Sequence, residues 1–159
     1  MFFAATQNKL LFAVTGHTAA ELIVERADAS KPNMGLTSWK GSVVRKQDIY
    51  TAKNYLTADE LDSLNRLVVV FLETAELRTK NRQVITMDFW RENVDRILEF
   101  NDQPLLTGSG SVSNAQMERT AEQVYKQFDA TRKAYEARLA DEQDIEELKQ
   151  LETVVKLHR

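Results

Sequence analysis

Between Lys31 and Lys53 the chain carries five basic residues, Lys31, Lys40, Arg45, Lys46 and Lys53, against a single acid, Asp48. Positive charge on a glycine-containing connection suits phosphate recognition. Gly35 and Gly41 let backbone N–H groups come close to an anion, and the lysines and arginine neutralise it. Asn33 adds an amide, and Trp39 adds a face on which a base can stack. Lys31, Asn33, Trp39, Lys40, Arg45, Lys46 and Lys53 are therefore the candidate ligand- or phosphate-binding set. A competing reading makes Trp39 a plug in the core and the charges a solvated rim. A third leaves Trp39 exposed as the anchor for a protein partner. No Walker or dinucleotide fingerprint accompanies the loop.

A smaller set has the residue types of acid–base chemistry. His17, Glu25 and Arg26 fall on a turn and the helix after it, and a carboxylate beside a basic loop can polarise water. The plainer reading is a turn histidine with intrahelical ion pairs among Glu21, Glu25, Arg26 and Asp28. The chain has no cysteine and only two histidines, His17 and His158, far apart. That composition gives no thiolate nucleophile, no disulfide and no metal-ligand cluster, so neither metal nor cofactor is expected. The acidic run Asp141-Glu-Gln-Asp-Ile-Glu-Glu147 reads as the solvated face of a helix, not as a calcium loop.

The scaffold for these residues must be helical. The chain has 159 residues, 43% of them hydrophobic and 28% charged, with two prolines and no alternating β-branched runs. This is globular, all-α composition for about one domain. The net charge of −3 exerts no overall pull on nucleic acid. The longest apolar run, Leu67 to Leu72, is too short to cross a membrane. The lack of cysteine is compatible with a reducing cytoplasm, which is the expected location. Met1-Phe2-Phe3 has no basic n-region, so it is no signal peptide. It enters a helix abruptly, as a chain cut from a longer protein does.

Five to six helices are predicted. The first runs from Phe3 to Val14 and stops at Gly16. Thr18-Ala-Ala-Glu21 is a capping box that opens a second, to about Ala29, before Lys31-Pro32 stops it. A short helix is expected over Gln47 to Leu56. Thr57-Ala-Asp-Glu60, another capping box, opens a helix to Thr79 whose Leu61, Leu64, Leu67, Val68, Phe71, Leu72 and Ala75 share one face. Thr86 caps Met87 to Asn101, which offers Phe89 or Trp90, Val94, Ile97, Leu98 and Phe100 for packing. Residues 1–106 form the predicted core domain, 107–113 a flexible Gly/Ser linker, and 114–159 a long last helix. In that helix Met117, Ala121, Val124, Phe128, Thr131 and Tyr135 step 4-3-4-3-4, close to a coiled-coil period. They can pack on the Leu61–Ala75 helix, on a partner, or on both. A helix spanning ~60 Å at ~1.5 Å per residue outruns so small a core. Its later apolar positions, Ile145, Leu148, Leu151 and Val155, are the expected interface of a homodimer.

Several segments together resemble the RhuM family of bacterial virulence-associated proteins. They are Gln7-Asn8-Lys9, Thr18-Ala-Ala-Glu21, Glu25-Arg-Ala-Asp-Ala-Ser-Lys-Pro-Asn-Met-Gly-Leu36, Trp39-Lys-Gly41 and Ala52-Lys-Asn-Tyr-Leu56. The resemblance covers roughly residues 2 to 130. It implies a longer protein with a DNA-binding segment upstream of the part seen here. It implies no catalytic residues. Some relatives join a Fic-type AMP-transferase domain, but the His-Pro-Phe-x-x-Gly-Asn loop of that enzyme is absent from this chain. The expected function is a non-enzymatic oligomerisation or regulatory domain that positions a DNA-binding segment. DNA contact is expected through the Lys31–Lys53 patch or that segment. The alternative is a nucleotide- or nucleic-acid-processing enzyme with a site around Glu25–Lys40.

Overall fold

A computed structural model describes residues 2 to 157, and side chains from Ala4 to Val154. The Phe3 and Val155 side chains and His158, named above, lie outside the described residues. Five helices follow one another: α1 (Phe2–Thr15), α2 (Ala19–Arg26), α3 (Ala58–Lys80), α4 (Met87–Phe100) and α5 (Asn114–Leu157). Three short 3-10 turns, Pro32–Gly35, Asp48–Tyr50 and Ala52–Tyr55, lie between α2 and α3, and the described residues contain no strand. The fold is all-α, with a long carboxy-terminal helix.

Local chemistry sets the helix starts. Thr18 Oγ1 accepts from the Glu21 N–H while Glu21 accepts from the Thr18 N–H, and Thr57 and Glu60 repeat the same reciprocal pair. Each box satisfies two otherwise orphaned donors, worth about 1 kcal/mol. Thr86 caps α4 with a single bond, its Oγ1 accepting from the Phe89 N–H, and Phe89 offers no side-chain acceptor in return.

Two helical expectations need correction. α2 ends at Arg26, not near Ala29, because Ala27 turns extended and frees the Asp28 N–H to donate to the Met34 carbonyl. The short helix expected over Gln47–Leu56 is two 3-10 turns broken at Thr51. Here Asn54 Nδ2 and Tyr55 Oη take the Asp48 and Ile49 carbonyls that a continuous helix would have used.

The larger core gathers Leu22 and Ile23 from α2, Met34, Leu36, Val44 and Ile49 from the connection, Tyr55, and Met117 and Ala121 from α5. α5 therefore packs mainly on α2 and the 3-10 turns, while Leu61 and Leu64 at the start of α3 reach the edge of the same cluster. A smaller cluster of Ala13, Leu67, Val94 and Leu98 joins α1, α3 and α4. On α3 only Leu67 is fully buried, and Val68 and Leu72 face solvent at 40% and 64% exposure. α1 and α4 cover too little of that face to close it. Phe100, expected to pack, stands almost wholly exposed past the end of the cluster.

Tyr55 is 1% exposed and donates to the Ile49 carbonyl at 2.8 Å, and burial pushes its phenol up, so it stays a neutral donor. Tyr55→Phe leaves that carbonyl without its donor in a dry setting. The expected cost is about 1–2 kcal/mol in a urea unfolding titration, with the slope unchanged. A variant as stable as the parent would show that water replaces the hydroxyl.

Candidate functional site

The connection between α2 and α3 is held by a few polar anchors, and these decide which predicted residues meet. The Asp48 carboxylate, 6% exposed, accepts the backbone N–H groups of Lys40 and Arg45. The Asn54 carbonyl accepts the N–H groups of Thr37 and Ser38, while its amide donates to the Asp48 carbonyl. Segments 37–40, 45–48 and 53–54 are thereby tied into one body, and it presents Lys40, Arg45, Lys46 and Lys53 outward. The one acid of the basic stretch serves as an internal backbone anchor and forms no ion pair with the loop cations among the described residues.

Lys46 is already engaged. Its Nζ lies 2.7 Å from Glu122 Oε1 on α5, a contact that raises the lysine pKa and lowers that of the carboxylate. Lys40, Arg45 and Lys53 are exposed and make no ion pair among the described residues. Arg45, Lys46, Gln47 and Tyr50 line a shallow surface basin of about 560 Å³. Trp39 is half-buried against the larger core, between the plug and the exposed anchor considered from sequence.

Lys31 and Asn33 belong to a separately anchored turn. Asn33, Met34 and Gly35 all take positive φ, at 53°, 60° and 83°. That left-handed run drives Met34 to 0% exposure in the core and leaves Lys31 and Asn33 in solvent. Two non-glycine residues in this conformation cost about 1–2 kcal/mol each, and burial of Met34 offsets part of it.

The acid–base set divides. His17 Nε2 lies 3.1 Å from Glu25 Oε2, and His17 Nδ1 lies 3.0 Å from the Thr15 carbonyl, so both ring nitrogens face oxygen acceptors. Arg26 is turned elsewhere. Its two terminal nitrogens each lie 2.6 Å from a Glu60 oxygen, and one also donates to the Tyr55 carbonyl at 2.8 Å. The guanidinium thus ties the end of α2 to the start of α3.

Two features escaped the sequence reading. An apolar cleft of about 390 Å³ opens between α1, α3 and α4, lined by Leu10, Val68, Phe71, Leu72, Trp90 and Val94 among others. Its signal was an apolar face on α3 wider than one neighbour covers. The other is the seat of the 107–113 segment on α2: the Ser111 N–H and Oγ both donate to Glu21, at 2.5 and 2.7 Å. Those bonds pull the Glu21 pKa down to about 2.

In α5, Met117 and Ala121 are buried, and Val124 and Phe128 pack at the core edge. From Lys133 to Val154 every residue is exposed, including Ile145, Leu148 and Leu151 at 53%, 63% and 62%. Among the described residues no helix is long and apolar enough to cross a membrane, and no His, Asp and Glu side chains group to hold a metal ion.

No curated protein and no solved structure matches this chain. The family model described as the virulence protein RhuM family matches residues 1–136, which takes in both cores, the basic connection and the first half of α5. A match over most of the chain settles its kinship: this protein belongs to the virulence protein RhuM family.

Proposed function

We propose that this chain is a non-enzymatic assembly domain of a RhuM-family protein, which pairs with a second copy through the distal half of α5. Through that pairing it would position the DNA-binding segment that the family resemblance implies. The observation that carries this reading is the arm, residues 133–154, which is helical yet touches no core. An isolated helix gains little from propensity alone, and exposed Ile145, Leu148 and Leu151 gain by burial against a partner. The enzyme reading around Glu25–Lys40 draws less support, because the Arg26 guanidinium already serves three acceptors.

Light scattering on the full chain and on a chain ending at Arg138 tests the proposal. Among the described residues the truncation removes no buried one, and the buried core residues all lie upstream of it. The full chain is expected as a dimer and the truncation as a monomer. A full chain that is as monomeric as the truncation would overturn the reading.

A further inference from the structure

The arm carries apolar and acidic residues in a pattern that identifies what it seats on. At about 100° per residue, Leu148 lies close to half a turn from Ala121, so the distal apolar positions face away from the side of α5 that the core occupies. Asp141, Asp144 and Glu147 flank those positions, and among the described residues none of the three makes an ion pair. Glu142, on another side of the helix, is already paired with Arg138.

Two arms laid side by side through this stripe would repel each other. Between Asp141 and Glu152 there are six acids and one base, Lys149. The basic connection offers the opposite charge: the side chains of Lys40, Arg45 and Lys53 are exposed and make no ion pair among the described residues. It also lies beside α5, where Lys46 meets Glu122, and Tyr50 and Tyr125 stand near that lysine. An acid of α5 on this loop is therefore a contact the fold already makes within one chain. Exposed Val43 and the half-buried Tyr50 and Tyr125 give apolar ground for Leu148 and Leu151.

The lengths agree as well. The arm and the core-bound half of α5, residues 114–132, each run about 30 Å at ~1.5 Å per residue. Two α5 helices set antiparallel about a two-fold axis near Lys133 would lay each arm along the core-bound half of the other. Glu147 is about 37 Å along the helix from Glu122, and this arrangement brings it beside the other copy's loop.

We infer that the acidic arm of one copy docks on the Lys40–Arg45–Lys53 face of a second copy, reciprocally, so that the basic face is an assembly surface. This rests on the reading of the arm as an assembly element and names its seat. The arm lies mostly beyond the residues matched by the family.

The test uses full-length chains bearing charge reversals at exposed positions. One set is Lys40→Glu, Arg45→Glu and Lys53→Glu in the loop, and the other is Asp141→Lys, Asp144→Lys and Glu147→Lys in the arm. Each triple variant alone is expected to weaken dimerisation at least tenfold by light scattering, with an unchanged thermal melt as the folding control. Mixing the two variants is expected to restore a dimer, because a native arm then meets a native loop and a reversed arm meets a reversed loop. A loop triple that dimerises like the parent, while the chain ending at Arg138 is monomeric, overturns this inference and leaves the assembly reading standing. Monomers throughout, parent included, overturn both. A loop triple that keeps its dimer but loses binding to a short DNA duplex also overturns it, and assigns the face to nucleic acid.

Discussion

Gly35→Ala is expected to destabilise the domain by about 3 kcal/mol, or about 10 °C in melting temperature for a chain of this size. Gly35 sits at φ +83°, which costs any L-residue roughly 1 kcal/mol. The rest comes from contact. A Cβ built at Gly35 points into the Arg26 carbonyl, closer than van der Waals radii allow, and toward the Asp28 nitrogen. Both are backbone atoms, so no side-chain rotamer relieves the clash. The turn must lift, and with it the Asp28 N–H to Met34 carbonyl bond and the fully buried Met34. Gly41 is the internal control: its φ is +87°, but a Cβ there meets nothing within 4 Å. Gly41→Ala is expected to cost only about 1 kcal/mol. Equal melting temperatures for the two variants would mean that the positive φ, not the carbonyl contact, dominates at Gly35.

Arg26→Met is expected to cost about 2 kcal/mol at neutral pH and to flatten the acid side of the stability profile. Removing the guanidinium leaves the Glu60 carboxylate and the Tyr55 carbonyl without their charged donor. A fully buried pair would cost more, but the two side chains are 25% and 20% exposed, and solvent screens part of the loss. Hydrogen bonds from Arg26 hold the Glu60 pKa down at about 2, against 4.5 for the unperturbed group. A carboxylate whose folded pKa lies below its unfolded one contributes stability in full above the unfolded value. It loses that contribution as pH falls from about 4.5 toward 2. Glu21, held near the same value by Ser111, loses its contribution over the same window. Thermal melts of the parent at pH 7, 5 and 3 should therefore drop steeply between the last two. In Arg26→Met the drop should be shallower, with the Glu21 part, the Thr57 hold on Glu60 and the lowering of Glu122 by Lys46 remaining. An unchanged pH slope would mean that Glu60 is held by Thr57 rather than by Arg26.

The two predictions test the same junction from opposite sides. Gly35 packs on the carbonyl of Arg26, while the Arg26 side chain reaches across to Glu60. The end of α2 is thus the point from which the basic connection, the left-handed turn and the start of α3 are all positioned. A side chain that reads in sequence as a candidate catalytic group is spent on holding the loop body that carries the exposed cations.

The sequence by itself determined the helical class, the helix starts and most of the helix ends. Capping boxes at Thr18 and Thr57, the cap at Thr86, the glycine at position 16 and the break after Phe100 act within about four residues of their own helix ends, so a single strand of text contains them. It also carried the kinship, because the Glu25–Leu36 run is long and irregular. Only the tertiary structure decided that Arg26 serves Glu60, 34 positions away, that Glu21 receives Ser111 across 90 positions, and that Met34 turns inward through positive φ. It also decided which part of each apolar face is used: Leu67 but not Leu72 on α3, Met117 and Ala121 but not Leu148 on α5. Periodicity tells which residues share a face. How much of that face a neighbour covers depends on where distant helices come to rest, and that follows from packing the whole chain at once.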